Sequence, residues 1–226
     1  MKTALITGAN RGIGLEFVRL LKEKSYYTLG CCRNPAKADE LNGLADEVIK
    51  LDVTNDGDIT SMVEALNNRP IDLLINNAGI SGEQGVTVGN VSRENFINVL
   101  NVNCISAMKI CDALLPNVQN SAEKNILVIS SRMGSISDNE QGRSYAYRSS
   151  KAALNCAMRS FAIDVQSTGV HVMLLHPGWV KTDMGGPNAL IDAQTSVNGM
   201  LAEVEKNHSK SHAEVLRRFD GGLIAW

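Results

Sequence analysis

The chain has 226 residues, of which 44% are hydrophobic and 20% charged, with a formal net charge of -2. A single domain over residues 1–226 is expected from that length, and the near-neutral balance gives no electrostatic reason to expect nucleic acid or an anionic membrane as a partner. No uninterrupted apolar run approaches the roughly 18 residues that span a bilayer, and the opening MKTALITG is too short before its glycine to serve as a secretory signal, so a cytoplasmic location is expected.

Thr3 to Ile6 form a short apolar run, followed by TGANRGIG and then by LEFVRLLKEK, whose apolar positions repeat at helical spacing. That order predicts strand, glycine turn and helix. Gly8, Gly12 and Gly14 allow a tight turn, close approach of the backbone to a phosphate, and close packing of helix on strand. The helix N-terminus then turns its amides toward the anion. Glycines alone would also suit a purely structural turn; the strand before and the helix after are what a nucleotide-binding loop requires.

A second strand is predicted over Tyr26 to Cys32, closed by a loop at Asn34 and Pro35. In dinucleotide sites the end of this strand meets the adenosine ribose, where a carboxylate binds the 2′-hydroxyl of NAD and a cation accommodates the 2′-phosphate of NADP. Cys32 stands in the acidic position, 18 residues after Gly14, and Arg33 follows it. Arg11 in the glycine loop supplies a second guanidinium, a group whose planar donors suit phosphate oxygens. NADP is therefore expected over NAD, while for each arginine taken singly a solvated surface position is the bland alternative.

A third strand is predicted over Val48 to Val53 and carries Asp52, which alone would be read as a turn or cap residue. A helix from about Asp58 to Asn67 follows, and IDLLI after Pro70 suits a buried parallel strand running into NNAG, Asn76 to Gly79. The glycine-rich SGEQGVTVGN then precedes Ser92 and Asn95, which open a long helical stretch containing Asn103. Asn125 to Ser130 is an apolar strand that delivers Ser131 to the carboxyl edge of the sheet, where ligands bind in open α/β folds.

Beyond it, SYAYRSSKAALN places Tyr147 and Lys151 four residues apart. If Tyr147 opens a helix, both side chains leave the same face, and the ammonium would favour the phenolate of a group whose pKa is otherwise about 10. An isolated pair of this kind would usually be a surface contact worth only about 0.2–0.5 kcal/mol. The strand VHVMLL then leads to HPGWVKTDMGG, in which Pro177 and Gly178 read locally as a turn, a last helix is predicted from Thr195 to about Asn207, and VLRRFDGGLIAW supplies a seventh strand.

Five cysteines without CxxC or Cys/His ligand spacing indicate neither a disulfide framework nor a metal site. Cys31 and Cys32 adjoin a strand end; Cys104, Cys111 and Cys156 fall in helical patterns, where small buried residues are expected.

TGANRGIG, NNAG, Asn103, Ser131, YRSSK and PGWVKT, in this order and over essentially the whole chain, resemble the short-chain dehydrogenase/reductase family. Within it, YAYRSSKAALN, HPGWVKTDMGG and the closing FDG with LIAW look most like Sniffer-type carbonyl reductases and bacterial C-factor proteins. The resemblance implies a Rossmann-type α/β domain, a doubly wound seven-stranded parallel sheet with helices on both faces, and a catalytic set of Asn103, Ser131, Tyr147 and Lys151. Ser131 would orient a carbonyl, Tyr147 would donate the proton, Lys151 would lower the tyrosine pKa and bind the nicotinamide ribose, and Asn103 would hold a water that relays protons. Ser130 is the neighbouring alternative to Ser131; Ser131, at the head of SRMG, is the one that matches the family's catalytic serine.

The same resemblance carries cofactor contacts to Gly8, Asn10, Arg11, Gly12, Ile13 and Gly14, to Arg33, to Asp52 and Val53 beside the adenine, to Asn77, Ala78 and Gly79, to Tyr147 and Lys151, and to Pro177, Gly178, Val180 and Thr182 beside the nicotinamide. It implies NADPH-dependent exchange of a hydride with a small carbonyl or alcohol substrate, and pairing into a homodimer or homotetramer through the helices that carry Asn103 and Tyr147. Two other readings share these residues: an NADP-binding signalling protein of C-factor type, and an NAD-dependent alcohol dehydrogenase. Ser131 and Tyr147 are 16 residues apart, a little more than is usual in the family, so the loop containing DNEQGR is expected to shape the substrate pocket with the segments near Ser81, Ile136 and Met184.

Overall fold

The computed structural model describes residues 1–206 and 215–226. Its centre is a sheet of strands buried on both faces: β1 (Thr3–Thr7), β4 (Leu73–Asn76) and β5 (Asn125–Ile129) bury every residue, as expected of parallel strands covered by helices on each side. β2 (Tyr27–Cys32) and β3 (Glu47–Lys50) extend the sheet on one side, and β6 (His171–His176) with β7 (Leu216–Arg218) on the other. The spatial order is β3-β2-β1-β4-β5-β6-β7-β8, with β8 (Leu223–Ile224) at the edge. β1 pairs with both β2 and β4, so the chain reverses its direction of winding at the carboxyl end of β1. A crevice opens at such a reversal, and ligands of open α/β sheets bind there.

Two cores flank the sheet. On one face α1 (Gly12–Glu23), α2 (Asp39–Leu44) and α7 (Ala193–Lys206) pack Phe17, Leu21, Leu41 and Met200 against Ile6, Ile75 and Leu127. On the other face α3 (Asp56–Leu66), α5 (Ser106–Gln119) and α6 (Tyr145–Val165) pack Met62, Ile110, Leu114 and Met158 against Leu5, Leu74 and Val128. Burying one side chain of this size removes it from water for about 1.5–3 kcal/mol, so the alternation of faces along each strand sets both layers at once.

The seven expected parallel strands are present, and an eighth follows: after a turn at Gly221, β8 pairs antiparallel with β7 in the register Leu216↔Ile224. The third strand is shorter than expected, because after Lys50 only Leu51 still bonds to Cys32, and Asp52 begins a turn. α2 was not expected; it follows a 3-10 turn at Pro35–Lys37 and buries Leu41 over Gly30, where any Cβ would come within 2.6 Å of the leucine. The last helix runs to Lys206, and its expected end at Asn207 lies outside the described residues.

The long helical stretch is one rod made of α4 (Arg93–Leu100), a π-helical segment at Asn101–Ile105, and α5. By length and composition its 27 residues from Arg93 to Gln119 would be sufficient to cross a bilayer. In this fold, however, Ile110, Cys111, Leu114 and Val118 of the rod are fully buried in the core. Of the cysteines, Cys31, Cys32, Cys104 and Cys111 are buried as expected, whereas Cys156 is exposed. α6 carries small residues on more than one side, so its periodicity did not reveal which side faces water.

Candidate active site

The glycine loop is fastened to the end of β4. Asn77 donates from Nδ2 to the carbonyls of Thr7 and Gly8 at 2.9 and 3.1 Å, and Thr7 Oγ1 accepts from the amides of Asn77 and Ala78 at 3.0 and 3.1 Å. Asn76 turns the other way, donating to the Ala107 carbonyl at 3.2 Å and to Cys111 Sγ at 3.0 Å, so adjacent asparagines bind the sheet to the loop and to α5. Gly8 adopts φ +64, and a Cβ at Gly14 would lie 2.2 Å from the Gly8 carbonyl oxygen. The turn therefore closes only with glycine at these positions.

α1 starts at Gly12 with Arg11 as its N-cap; no side chain caps it and no acidic residue lies in its first turn. Its N-terminal amides and the positive end of its dipole are thus free for an anion. A Cβ on Gly12 would meet Thr182 Cγ2 at 3.2 Å, which brings the HPGWVKTDMGG segment across to the glycine loop. Thr182 Oγ1 accepts from the Gly185 amide at 3.2 Å, Val180 is buried, and Gly178 holds φ +85, in a turn where a Cβ would strike Ile191 at 2.7 Å. Arg11 pairs with Asp183 at 2.6 Å across the cleft, with both side chains exposed. Arg33 and Asn10 are exposed. Asp52 uses Oδ1 to accept from the Thr54 amide and hydroxyl at 3.0 and 2.7 Å, so it serves a local turn, and Val53 is half-buried next to it.

The four expected catalytic residues converge at the carboxyl edge of β4 and β5. The π turn directs Asn103 inward, where it accepts from the Ile80 amide at 2.8 Å and donates to the Ile80 carbonyl at 2.9 Å and to Ser150 Oγ at 3.0 Å. Ser150 in turn donates to the Tyr147 carbonyl at 2.8 Å, which links the π turn to the first turn of α6. Lys151 is 5% exposed, and its ammonium donates to the Ile129 carbonyl at 2.8 Å. Burial pushes its pKa down to about 8.

Ser130 and Ser131 separate clearly. Ser130 donates to Asn155 Oδ1 at 2.5 Å inside the core, whereas Ser131 accepts from the Met133 amide at 3.1 Å and lines the same cavity as Tyr147. The expectation that Lys151 lowers the tyrosine pKa is not met by this geometry. Burial raises the Tyr147 pKa and the neighbouring Ser131 hydroxyl opposes it, while the ammonium lies 5.9 Å from the ring centroid, engaged with Ile129. The phenol is therefore protonated at neutral pH.

Ser131 and Tyr147 open onto a cavity of about 580 Å³ that is also lined by Ile13, Pro177, Val180 and Thr182. Ser81, Met184 and the 138–141 part of the enlarged loop contribute to its walls, as expected, but Ile136 points into solvent. Sequence reasoning missed His176, Trp179, Arg132 and Glu83 in this lining. The one available signal was His176, a polar residue closing the apolar run Val172–Leu175.

Residues 2–190 match the short chain dehydrogenase family model, and the chain belongs to this family. It is 40% identical over 157 residues, 70% of this chain and 93% of the relative, to the C-signal protein of Myxococcus xanthus. Among solved structures it resembles the carbonyl reductase Sniffer of D. melanogaster, at 31% identity and TM-score 0.87 with 100% of both chains covered. It equally resembles an NADPH-bound carbonyl reductase from chicken fatty liver, at 33% identity and TM-score 0.87, covering 100% of this chain and 99% of that one.

The buried lysine gives a pH-dependent stability with a definite sign. Its pKa moves from 10.5 down to about 8 on folding, so between those values the unfolded chain holds more protons and stability rises with pH. In chemical denaturation, the unfolding free energy of wild type minus that of Lys151→Met should climb from pH 8 to 10.5, by at most about 1.4 kcal/mol per pH unit. A flat difference would show that Lys151 is not desolvated in the folded protein.

Proposed function

We propose that this chain is an NADPH-dependent reductase of small carbonyl compounds, with Ser131, Tyr147, Lys151 and Asn103 as its catalytic set. The observation that carries the proposal is that Ser131 and Tyr147 face the same cavity as Ile13, Pro177, Gly178, Val180 and Thr182. A proton donor and a dinucleotide cleft thus share one chamber, as hydride transfer to a carbonyl demands.

The residues present suit a dinucleotide. Its pyrophosphate would lie on the uncapped N-terminus of α1 above Gly8, Gly12 and Gly14, whose loop leaves no room for a Cβ at Gly14. Asn10, Ile13, Asn77, Ala78 and Gly79 would line its path, Asp52 and Val53 would meet the adenine, and Thr182 with the backbone near Val180 would hold the carboxamide. NADPH is favoured over NADH because β2 ends in buried Cys32 with no carboxylate, followed by exposed Arg33, and the glycine loop supplies Arg11. The NADPH-bound carbonyl reductase among the similar structures supports the same choice.

Bound NADPH supplies a hydride to the carbonyl carbon. Ser131 holds and polarises the carbonyl oxygen as it gains negative charge, and Tyr147 gives that oxygen a proton. A phenol whose pKa is raised enters the reaction protonated, which suits reduction. Lys151 would return a proton to Tyr147 from the buried side, resupplied through a water held by Asn103, and would also hold the nicotinamide ribose. The exposed apolar residues Ile97 and Ile105 on the rod and Ile163 on α6 favour pairing of two copies through these helices.

A signalling role has one specific support, the 40% identity to the C-signal protein. It gives no reason for a proton donor beside a dinucleotide, so catalysis is the better reading. Tyr147→Phe combined with Lys151→Met should lower NADPH oxidation on a panel of aldehydes, ketones and quinones by at least about 100-fold. Unchanged turnover would remove the catalytic assignment, and tight NADPH binding by a wild type that oxidises nothing would favour the signalling role. Separately, Cys32→Asp with Arg33→Ala should move the preference in kcat/KM from NADPH toward NADH; an unmoved preference would overturn the assignment of the ribose-end residues.

A further inference from the structure

We propose that His176 selects the substrate: its Nε2–H donates a hydrogen bond to a second acceptor oxygen on the carbonyl compound, so the site favours diones, ortho-quinones and keto esters over simple ketones. This rests on the carbonyl-reductase reading above and adds a specificity residue to it.

The position of the ring follows from the sheet. β5 and β6 pair with Ile129 opposite Leu175, and the Ser130 amide donates to the Leu175 carbonyl at 2.8 Å, so His176 stands beside Ser130 at the carboxyl edge, one residue from Ser131. Along β6, Leu174 faces the α6 side and Leu175 the opposite core, which returns His176 to the α6 side, where Ser130 bonds Asn155. Phe219 N donates to the His176 carbonyl at 2.9 Å and fixes its backbone. The half-buried ring lines the same cavity as Ser131 and Tyr147.

Its nitrogens are in different surroundings. Nδ1 is fully buried and has no hydrogen-bond partner among the described residues. A buried N–H without an acceptor is rarer than a buried acceptor without a donor, so the bare nitrogen is Nδ1 and the proton sits on Nε2, at the ring edge left to face the cavity.

The charges around the ring keep it neutral and make it a donor to electron-rich oxygen. Asp138 is taken by Arg132 at 2.8 Å and Asp220 is taken by Arg218, so neither carboxylate is left to pair with an imidazolium. Burial, and then Arg218 and Arg132, push the pKa of His176 down to about 4. Trp179 and Met184, both about half exposed, line the same cavity and offer apolar surface for the carbon frame of such a substrate.

The test compares 1-phenyl-1,2-propanedione and 1-phenyl-1,3-butanedione with 1-phenyl-1-propanone, using NADPH and wild type, His176→Leu and His176→Gln. The ratio of kcat/KM for dione over monoketone should fall about five- to tenfold in His176→Leu, mainly through KM, and recover in His176→Gln, which retains an N–H donor. A histidine with a purely structural role would lower all three substrates together and leave the ratio in place, and that result overturns the proposal. If His176→Leu does not fold, His176→Phe carries the same comparison. The wild type offers an independent check: 15N-detected imidazole spectra with NADP⁺ present should show the Nε2–H tautomer, and its Nε2 signal should move on adding dione but not monoketone. An Nδ1–H tautomer contradicts the proposal. Wild type that consumes NADPH with none of the three compounds removes the carbonyl-reductase reading and this inference together; equal ratios in an active wild type and His176→Leu remove the inference alone.

Discussion

The ammonium of Lys151 is 5% exposed and bonded to the Ile129 carbonyl, and the carboxyl edge of the sheet is arranged around that burial. Taking a charge out of water is costly unless neighbouring groups are fixed to meet it, so the elements around it have little freedom. α6 must come close to the turn after β5, and Gly134 permits this, since a Cβ there would lie 2.8 Å from the Lys151 backbone. Gly79 and Asn103 close the other side: a Cβ on Gly79 would stand 3.2 Å from Asn103 Oδ1 and 3.8 Å from Lys151 Nζ. The π turn in the rod is the means by which Asn103 reaches inward, and its three hydrogen bonds compensate for the local break in the α-helical ladder. Tyr147, one turn before Lys151, thereby lines the same cavity as Ser131.

The cofactor half and the substrate half of the crevice differ in how tightly they are determined. Around the glycine loop, backbone meets backbone, with Gly14 against Gly8 and Asn77 bonded to two loop carbonyls, so one geometry is available. The substrate half is walled by side chains of loops, among them Glu83, Arg132, Asp138, Trp179 and Met184. Such walls change shape with each substitution while the catalytic frame stays in place, which is how one fold serves many carbonyl substrates.

What could be read from the sequence follows the same division. The strand, glycine turn and helix at residues 3–23 were legible because Gly8, Gly12 and Gly14 are required by backbone geometry, and Asn76 and Asn77 because they end a buried strand. That Asn103, Ser131, Tyr147 and Lys151 come together at the carboxyl edge was legible by family pattern. α2 was missed, since six residues containing Gly43 give no helical period, and β8 was missed because two residues after Gly221 and Gly222 are too short to show alternation. The π turn leaves no mark in NVNCI, because it is a shift in hydrogen bonding and not a change in residue type. The direction of the tyrosine pKa was misjudged for a related reason: spacing places Lys151 on the same face, but whether its ammonium meets the phenol or the Ile129 carbonyl depends on how deep the helix sits.

The central claim is that this chamber moves a hydride from NADPH to a carbonyl carbon while Tyr147 supplies the proton. Turnover of a ketone with NADPH deuterated at the transferring C4 position, analysed by mass spectrometry and NMR of the alcohol, tests it directly. The account predicts deuterium on the carbinol carbon, with its formation nearly abolished in Tyr147→Phe. Product without deuterium, or undiminished deuterated product from Tyr147→Phe, would contradict it.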